Sequence, residues 1–377
     1  MIDASSLKPS PPTALPASPA WEMIVAELPD GWRDLARPHK IMTMRRAPTG
    51  AKLTSVDQVL RLILSYVGLD SSLRTTVSSG AAGQEVPAIS PGSLHDWVKK
   101  SGGWLGDILT QMTSSDLLFA PEQWKGFEVV VGDATVVTRP GTKGTDARVH
   151  YLVKLSDFTY THCEVTDEHG GEKLSRLGLQ PGQLGVLDRA YCNPPALVYT
   201  KKQQADLLVR YNRGSLPLYD ERGQSFDVQL AVDSLSQPGD IAEWDVWVQP
   251  KGTRPIPVRL LARKLTPSQT QEAMKRLRTE YGKEGKSVPP EAESLAGYIV
   301  LVCTVQKDLL SSADLFRLYR LRWQVERIIK QDKSIGGLGK LPNFLPATIQ
   351  CWLNAKMLLA MVARRLVQRA AEPAFPP

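Results

Sequence analysis

Residues 127–137, FEVVVGDATVV, decide the fold. Five valines, a Phe and a Thr crowd a run that contains no Pro, which is the texture of a β-strand. One residue is out of keeping with it. Asp133 puts a carboxylate into an otherwise apolar strand, a costly placement unless the group is paired, hydrogen-bonded or bound to a cation. Residues 148–155 and 158–165 have the same β-branched, aromatic texture, with Gly, Asp and Thr between them. A fourth run ends in LGVLDRAY, a proline-led helix covers 194–204, and ADLLVRY reads as a fifth strand. Three successive strands, then alternating strand and helix, predict a mixed α/β sheet with helices packed on it.

The flanks read differently. Residues 5–20 hold five prolines among Ser and Ala, the composition of a disordered leader. Ser55 and Gln58 form a capping-box signature before VLRLILSYVGL, in which Val59, Leu62, Ile63 and Tyr66 keep helical spacing up to Gly68. SSLRTTVSSGAAG and SPGSLHDWVKKS predict two more short helices. Residues 41–116 therefore read as a small all-helical domain, either a helix-turn-helix relative or a helical cap with no DNA role. Beyond the fifth strand, 214–290 break the rhythm. QSFDVQLAV, AEWDVWVQP and IPVRLLARKL are strand-like and precede a charged helix, PSQTQEAMKRLRTEYGKEG, which suggests an insertion with its own β-ribbon. Residues 297–305 give one more strand, and 312–333 and 345–371 give long helices.

Composition narrows the classes. The chain has 377 residues, 46 Lys and Arg against 39 Asp and Glu, and a net charge of +7. No apolar run reaches the roughly 18–20 residues that span a bilayer. No basic start with a hydrophobic stretch suggests secretion. The four cysteines, Cys163, Cys192, Cys303 and Cys351, fit neither a disulfide framework nor a CxxC zinc site. The expectation is a cytoplasmic protein with no membrane partner. No G-x-x-x-x-G-K-[ST] occurs, so the chemistry should not need ATP. The mild basic excess admits a polyanion but equally fits an ordinary charged surface.

Asp188 repeats the situation of Asp133, falling at the C-terminal end of another apolar run in GVLDRAY. One strand-terminal Asp is commonplace; two in one sheet suggest a hard-cation site. The third element is the helix LYRLRWQVERIIKQDKS. With Tyr319 at zero and 100° per residue, Arg322 falls at about 300°, Glu326 at about 340° and Lys333 at about 320°. They share a stripe about 60° wide beside the apolar face made by Leu318, Leu321, Val325, Ile328 and Ile329. Taken alone, such a stripe is also what the charged border of any amphipathic helix looks like. Two Asp, a Glu and adjacent cations suit phosphoryl transfer assisted by two Mg²⁺ ions, with Arg322 and Lys333 on the phosphates.

At these residues the chain resembles the DDE transposases of bacterial cut-and-paste insertion sequences, which have a ribonuclease-H-like catalytic core. Their signature Y-x-x-R-x-x-x-E-x-x-x-x-x-x-K is met by Tyr319, Arg322, Glu326 and Lys333. GDATVVTRPGTKGTDARVHY, TDEHGGEKL and LDRAY resemble the family's other landmarks, in order, and the likeness covers about residues 50–365. It implies that Asp133, Asp188 and Glu326 bind two Mg²⁺ ions per active site, with Mn²⁺ able to substitute. It also accounts for a β-rich insertion before the Glu helix. In relatives a Trp just after that insertion stacks on a flipped base; Tyr298 stands at the matching position, where strand packing is the other reading. The further DNA contacts expected are Arg210, Arg213, Arg45 and Arg46.

The organisation expected is a Pro-rich leader and linker (1–40), a helical DNA-binding domain (41–120), a ribonuclease-H-like core in two parts (121–213 and 296–340) around a β-rich insertion (214–295), and a C-terminal helix (341–377) that serves either a dimer surface or core packing. The function implied is a transposase, bacterial and nucleoid-associated, that binds terminal inverted repeats as a homodimer, cleaves, forms a hairpin and joins target DNA. Two alternatives share the sequence: a metal-dependent nuclease without strand transfer, and a non-catalytic repressor derived from a transposase.

Overall fold

The strands are β1 (Glu128–Val137), β2 (Ala147–Lys154), β3 (Tyr160–Asp167), β4 (Gln183–Leu187), β5 (Asp206–Arg210), β6 (Ile241–Val248), β7 (Ile256–Lys264) and β8 (Tyr298–Cys303). They make one eight-stranded sheet, ordered β3-β2-β1-β4-β5-β8-β7-β6. The computed structural model describes residues 19–41, 53–82, 86–114, 124, 126–138, 144–156, 160–283, 285–323, 330, 337, 341 and 346–371. β1 pairs antiparallel with β2, and β2 with β3, while β4 lies parallel to both β1 and β5. This is the mixed α/β sheet of a ribonuclease-H-like core. Its centre is apolar: Val130, Leu152, Leu187, Leu207, Val209 and Val302 are buried in one cluster.

The insertion does not stand apart as its own ribbon. β7 pairs antiparallel with β8 and β6 with β7, so the hairpin extends the core sheet by two strands. QSFDVQLAV also departs from the strand expected. Asp227 accepts hydrogen bonds from the N–H groups of Gln229 (2.9 Å) and Leu230 (3.2 Å) and caps a short helix, Val228–Asp233. Within it Val228 and Val232, four residues apart, are buried while Leu230 is 73% exposed. The V-x-L-x-V alternation looked β-like, but the Asp cap selects the helix.

The chain divides into two compact units: residues 116–137 and 144–331 carry the sheet, and 1–115, 138–143 and 332–377 make the other. In the second, the helices are α1 (Pro19–Ala26), α2 (Val56–Gly68), α3 (Leu73–Ala82) and α4 (Pro91–Ser114). The sheet unit holds α5 (Pro194–Lys202), α6 (Val228–Asp233), α7 (Pro267–Lys283), α8 (Pro290–Leu295) and α9 (Ser312–Leu321). The chain returns to the helical unit as α10 (Pro346–Ala371), which packs on α4 and α2.

Ser55 caps α2 as its signature implied, accepting from Gln58 N–H (3.3 Å), while the Gln58 side chain accepts from Thr54 N–H (2.7 Å). α4 is longer than expected because its buried stripe of Trp104, Leu105, Ile108, Leu109 and Met112 continues past the lysines. Gly102 lets α10 approach: a Cβ there would lie 3.3 Å from the backbone N of Cys351, and Asn354 donates to the Gly102 carbonyl at 2.8 Å. This packing makes α10 part of the helical unit. Within the stretch expected as leader and linker, residues 19–41 are folded. Trp32 is buried, stacks on Trp104 at 6.0 Å, and accepts the Trp104 indole N–H at its carbonyl (3.2 Å). Among the described residues no helix is long and apolar enough to cross a membrane.

The residue before Asp133 is fixed by space. A Cβ on Gly132 would lie 2.5 Å from Leu152 Cδ2 and 3.0 Å from the Tyr151 carbonyl oxygen. Gly132→Ala should therefore destabilise the protein by about 1–3 kcal/mol through overpacking. A chemical denaturation midpoint equal to wild type would contradict this.

Candidate active site

Strand register brings the two acids onto neighbouring strands, although Asp133 lies inside β1 rather than at its end. β1 and β4 run parallel with Val131 opposite Val186. Asp133, inside β1, and Asp188, the residue after the end of β4, each follow two residues later, on neighbouring strands spaced about 4.8 Å apart. Asp133 has one oxygen on the N–H of Ala134 at 2.8 Å. Asp188 has left the strand and caps the short turn Arg189–Tyr191, accepting from the N–H of Ala190 at 2.6 Å. These bonds fix both side chains and leave the second oxygen of each outside them.

The environment of Asp133 disfavours its charge. Burial raises its pKa to about 6; the Ala134 hydrogen bond and Arg322 oppose the rise, while Asp188 and Glu172 add to it. Tyr191, buried among these acids, has a hydroxyl with no hydrogen-bond partner among the described residues. Burial and the charges of Asp133, Glu172 and Asp188 push that hydroxyl's pKa up, so it remains a proton donor. Hard oxygens, a crowded negative charge and an unengaged hydroxyl form a donor set that fits a divalent cation. No group of three potential ligands is already gathered among the described residues. Glu326, the third acid expected, lies outside them, as do Lys333, Arg45 and Arg46.

α9 supplies the neighbouring cation. Ser311 caps it, accepting from Asp314 N–H at 3.2 Å, and Leu315, Phe316 and Leu318 bury one face. Near its end the Arg322 guanidinium lies 5.9 Å from the Tyr319 ring centroid. Burial pushes the Tyr319 hydroxyl up, with Arg322 and Arg210 opposing and Asp188 adding to the shift. Arg322 and Asp188 thus each act on both Asp133 and Tyr319.

Arg210, Arg213 and Tyr298 meet elsewhere, around a cavity of about 540 Å³ between the ends of β5 and β8 and helices α7 and α8. Arg189 and Tyr281 also line it. Tyr298 is buried in the strand, its hydroxyl donating to Asp233 at 3.5 Å and its ring 5.8 Å from Lys264 Nζ. Arg189 adjoins Asp188, so the cavity begins one residue from the acids. Three residues beside the acids were not singled out from sequence. Glu172 and Tyr191 belong to the quoted stretches TDEHGGEKL and LDRAY, and Arg189 to the latter, yet a charge in a loop gives no signal until the fold brings it to the acids. On β2 and β3, buried His150 lies 3.1 Å from Thr166 Oγ1, and Glu164 accepts from Arg176 at 2.6 Å.

Comparison with known proteins bears on this site. The family model described as "Transposase DDE domain" matches residues 124–360. The chain is 26% identical over 364 residues to a protein named "Putative transposase InsL for insertion sequence element IS186A" from Escherichia coli (strain K12), covering 95% of this chain and 96% of that one. It is 27% identical over 365 residues to "Transposase for insertion sequence element IS421" from Escherichia coli, with the same coverage. A shorter likeness, 24% over 195 residues, covers 48% of this chain and 40% of "Transposase for insertion sequence element IS231F" from Bacillus thuringiensis subsp. israelensis.

The raised Asp133 pKa gives a pH signature. Between about pH 4 and 6 the folded protein holds a proton that the unfolded chain has released, so this group's contribution to stability falls as pH rises through that window. In EDTA, Asp133→Asn should raise stability by about 1–2 kcal/mol at pH 7.5 and little at pH 4. Equal effects at both pH values in denaturant titrations would refute the assignment.

Proposed function

The chain belongs to the transposase DDE domain family, and from that premise we propose that it moves an insertion sequence by cut-and-paste transposition with Asp133, Asp188 and Glu326 as its catalytic acids. The observation carrying the proposal is the pair of carboxylates on neighbouring parallel strands, one inside β1 and one just past the end of β4, with Asp133 driven towards neutrality by burial and Asp188. Such a pair is relieved by a divalent cation, for which carboxylate oxygens are the preferred ligands. Mg²⁺ held by these three acids, two ions per site, would polarise the phosphodiester and stabilise both the entering and leaving oxygens. Mn²⁺ should replace it.

The protein's own groups position the DNA. Tyr319, kept protonated by burial, donates to a phosphate oxygen of the scissile strand. Arg322 and Lys333 offset the phosphate charge, Arg by its planar fork. Arg189, Arg210 and Arg213 face the adjoining cavity, whose size and aromatic wall suit a nucleotide displaced beside the cut. Tyr298 contributes ring surface there rather than a mobile side chain, since Asp233 and Lys264 hold it. A hairpin intermediate followed by strand transfer completes the reaction, with the same acids serving both displacements. The terminal inverted repeats are read by the helical domain, Arg45 and Arg46 contributing, and a homodimer brings two ends together.

In Mg²⁺, the purified protein should nick and then cut a duplex bearing the inverted repeats that flank its own gene, and join the ends to target DNA. Asp188→Asn and Glu326→Gln should each lower cleavage by about 10³-fold or more while leaving end binding within about twofold. Cleavage by either variant at the wild-type rate would sink the proposal, as would undiminished cutting in EDTA.

A further inference from the structure

The inserted hairpin grips the start of α9. Arg259 on β7 and Glu243 on β6 are diagonal neighbours on one face and form a two-pronged pair, Nε to Oε1 at 3.0 Å and Nη2 to Oε2 at 2.9 Å. Their side chains are only 6% and 9% exposed. The remaining Arg259 nitrogen, Nη1, donates to the carbonyls of Val305 (3.1 Å) and Leu310 (2.9 Å), at the two ends of the link between β8 and α9. Glu243 also accepts from the hydroxyl of Ser312, the first residue of α9. Lys307 in the same link lies 3.6 Å from Glu243. Burial works against the Glu243 charge, but the bonds from Arg259 and Ser312 outweigh it and hold its pKa below the usual carboxylate range.

Stability alone does not call for an ion pair here. Well-packed apolar residues of similar volume often serve a buried site as well as an ion pair or better. What they cannot do is bind two carbonyls and a hydroxyl of a separate segment at once. We infer that Arg259 and Glu243 are positioning residues: through the 305–312 link they fix where α9 starts, and hence where Tyr319 and Arg322 stand relative to Asp133 and Asp188. Tyr319 lies seven residues beyond Ser312, about 10 Å along a rigid helix, so a shift at the clamp is carried to the acids. Misplacement by about 1 Å can slow a reaction by up to about 10²-fold. The inference rests on the active site proposed above.

The test uses the full-length protein and a duplex carrying its own inverted repeat. It measures thermal midpoint, end affinity and single-turnover cleavage in saturating Mg²⁺. Arg259→Met with Glu243→Leu replaces the pair by apolar bulk and should fold, bind ends within about twofold of wild type, and cleave about tenfold more slowly. Ser312→Ala leaves the ion pair intact and removes only the hydroxyl; it should keep the wild-type thermal midpoint within a few degrees and cleave about threefold more slowly, and Ser312→Thr, which keeps the hydroxyl, should restore the rate. Wild-type cleavage by Ser312→Ala or by the double variant overturns the inference. So does a loss of cleavage that merely tracks lost folded protein or lost end binding, which would make the pair scaffold alone. A wild-type protein that binds ends but never cuts them refutes instead the active site on which the inference stands.

Discussion

Two carboxylates that the pairing of β1 with β4 brings together repel each other, and burial strengthens the repulsion because little water is present to screen it. Parallel pairing of β1 with β4 sets their separation, and no rotamer change moves either strand. The arrangement persists only with something positive nearby. Backbone N–H groups from Ala134 and Ala190 supply part of the compensation and Arg322 another part. They leave Asp133 still displaced towards its protonated form, and that residual strain is what a divalent cation would relieve.

Much of the remaining architecture can be understood as support for that pair of strands. Gly132 admits Leu152 against β1 just before the first acid. The antiparallel strands β2 and β3 cover one side of β1, and β4 and β5 continue the sheet on the other. Beyond β5 the chain adds β8, β7 and β6 to the same sheet, so the inserted segment shares the rigidity of the core. That continuity lets a hairpin distant in sequence hold the link into α9. It also gives the cavity beside Arg189 and Arg210 a wall that is part sheet and part inserted helix.

The core was legible in sequence where chemistry broke a pattern. Asp133 and Asp188 were visible because a charge interrupts an apolar run, and Tyr319 with Arg322 because a helical period groups polar residues. Elsewhere one sequence pattern fits two structures. Val228, Leu230 and Val232 alternate as a strand would, and only the cap at Asp227 turns them into a helix. The hairpin β6–β7 was recognised as strand, but whether it stands alone or joins a sheet depends on an edge at β8 that local sequence does not encode. Glu172, Arg189 and Tyr191 acquire meaning from proximity alone. The Arg259–Glu243 pair likewise looked like two ordinary charges on strands until its partners proved to be carbonyls about 50 residues away.

The central claim is that Asp133 and Asp188 jointly hold a divalent cation. Crystals of the protein bound to its DNA ends and soaked in Mn²⁺ would test it by anomalous diffraction at the manganese edge. The account predicts a peak within coordination distance, about 2–2.5 Å, of both the Asp133 and the Asp188 carboxylates. Ordered Asp133 and Asp188 side chains with manganese bound elsewhere, or with none between them, would contradict it.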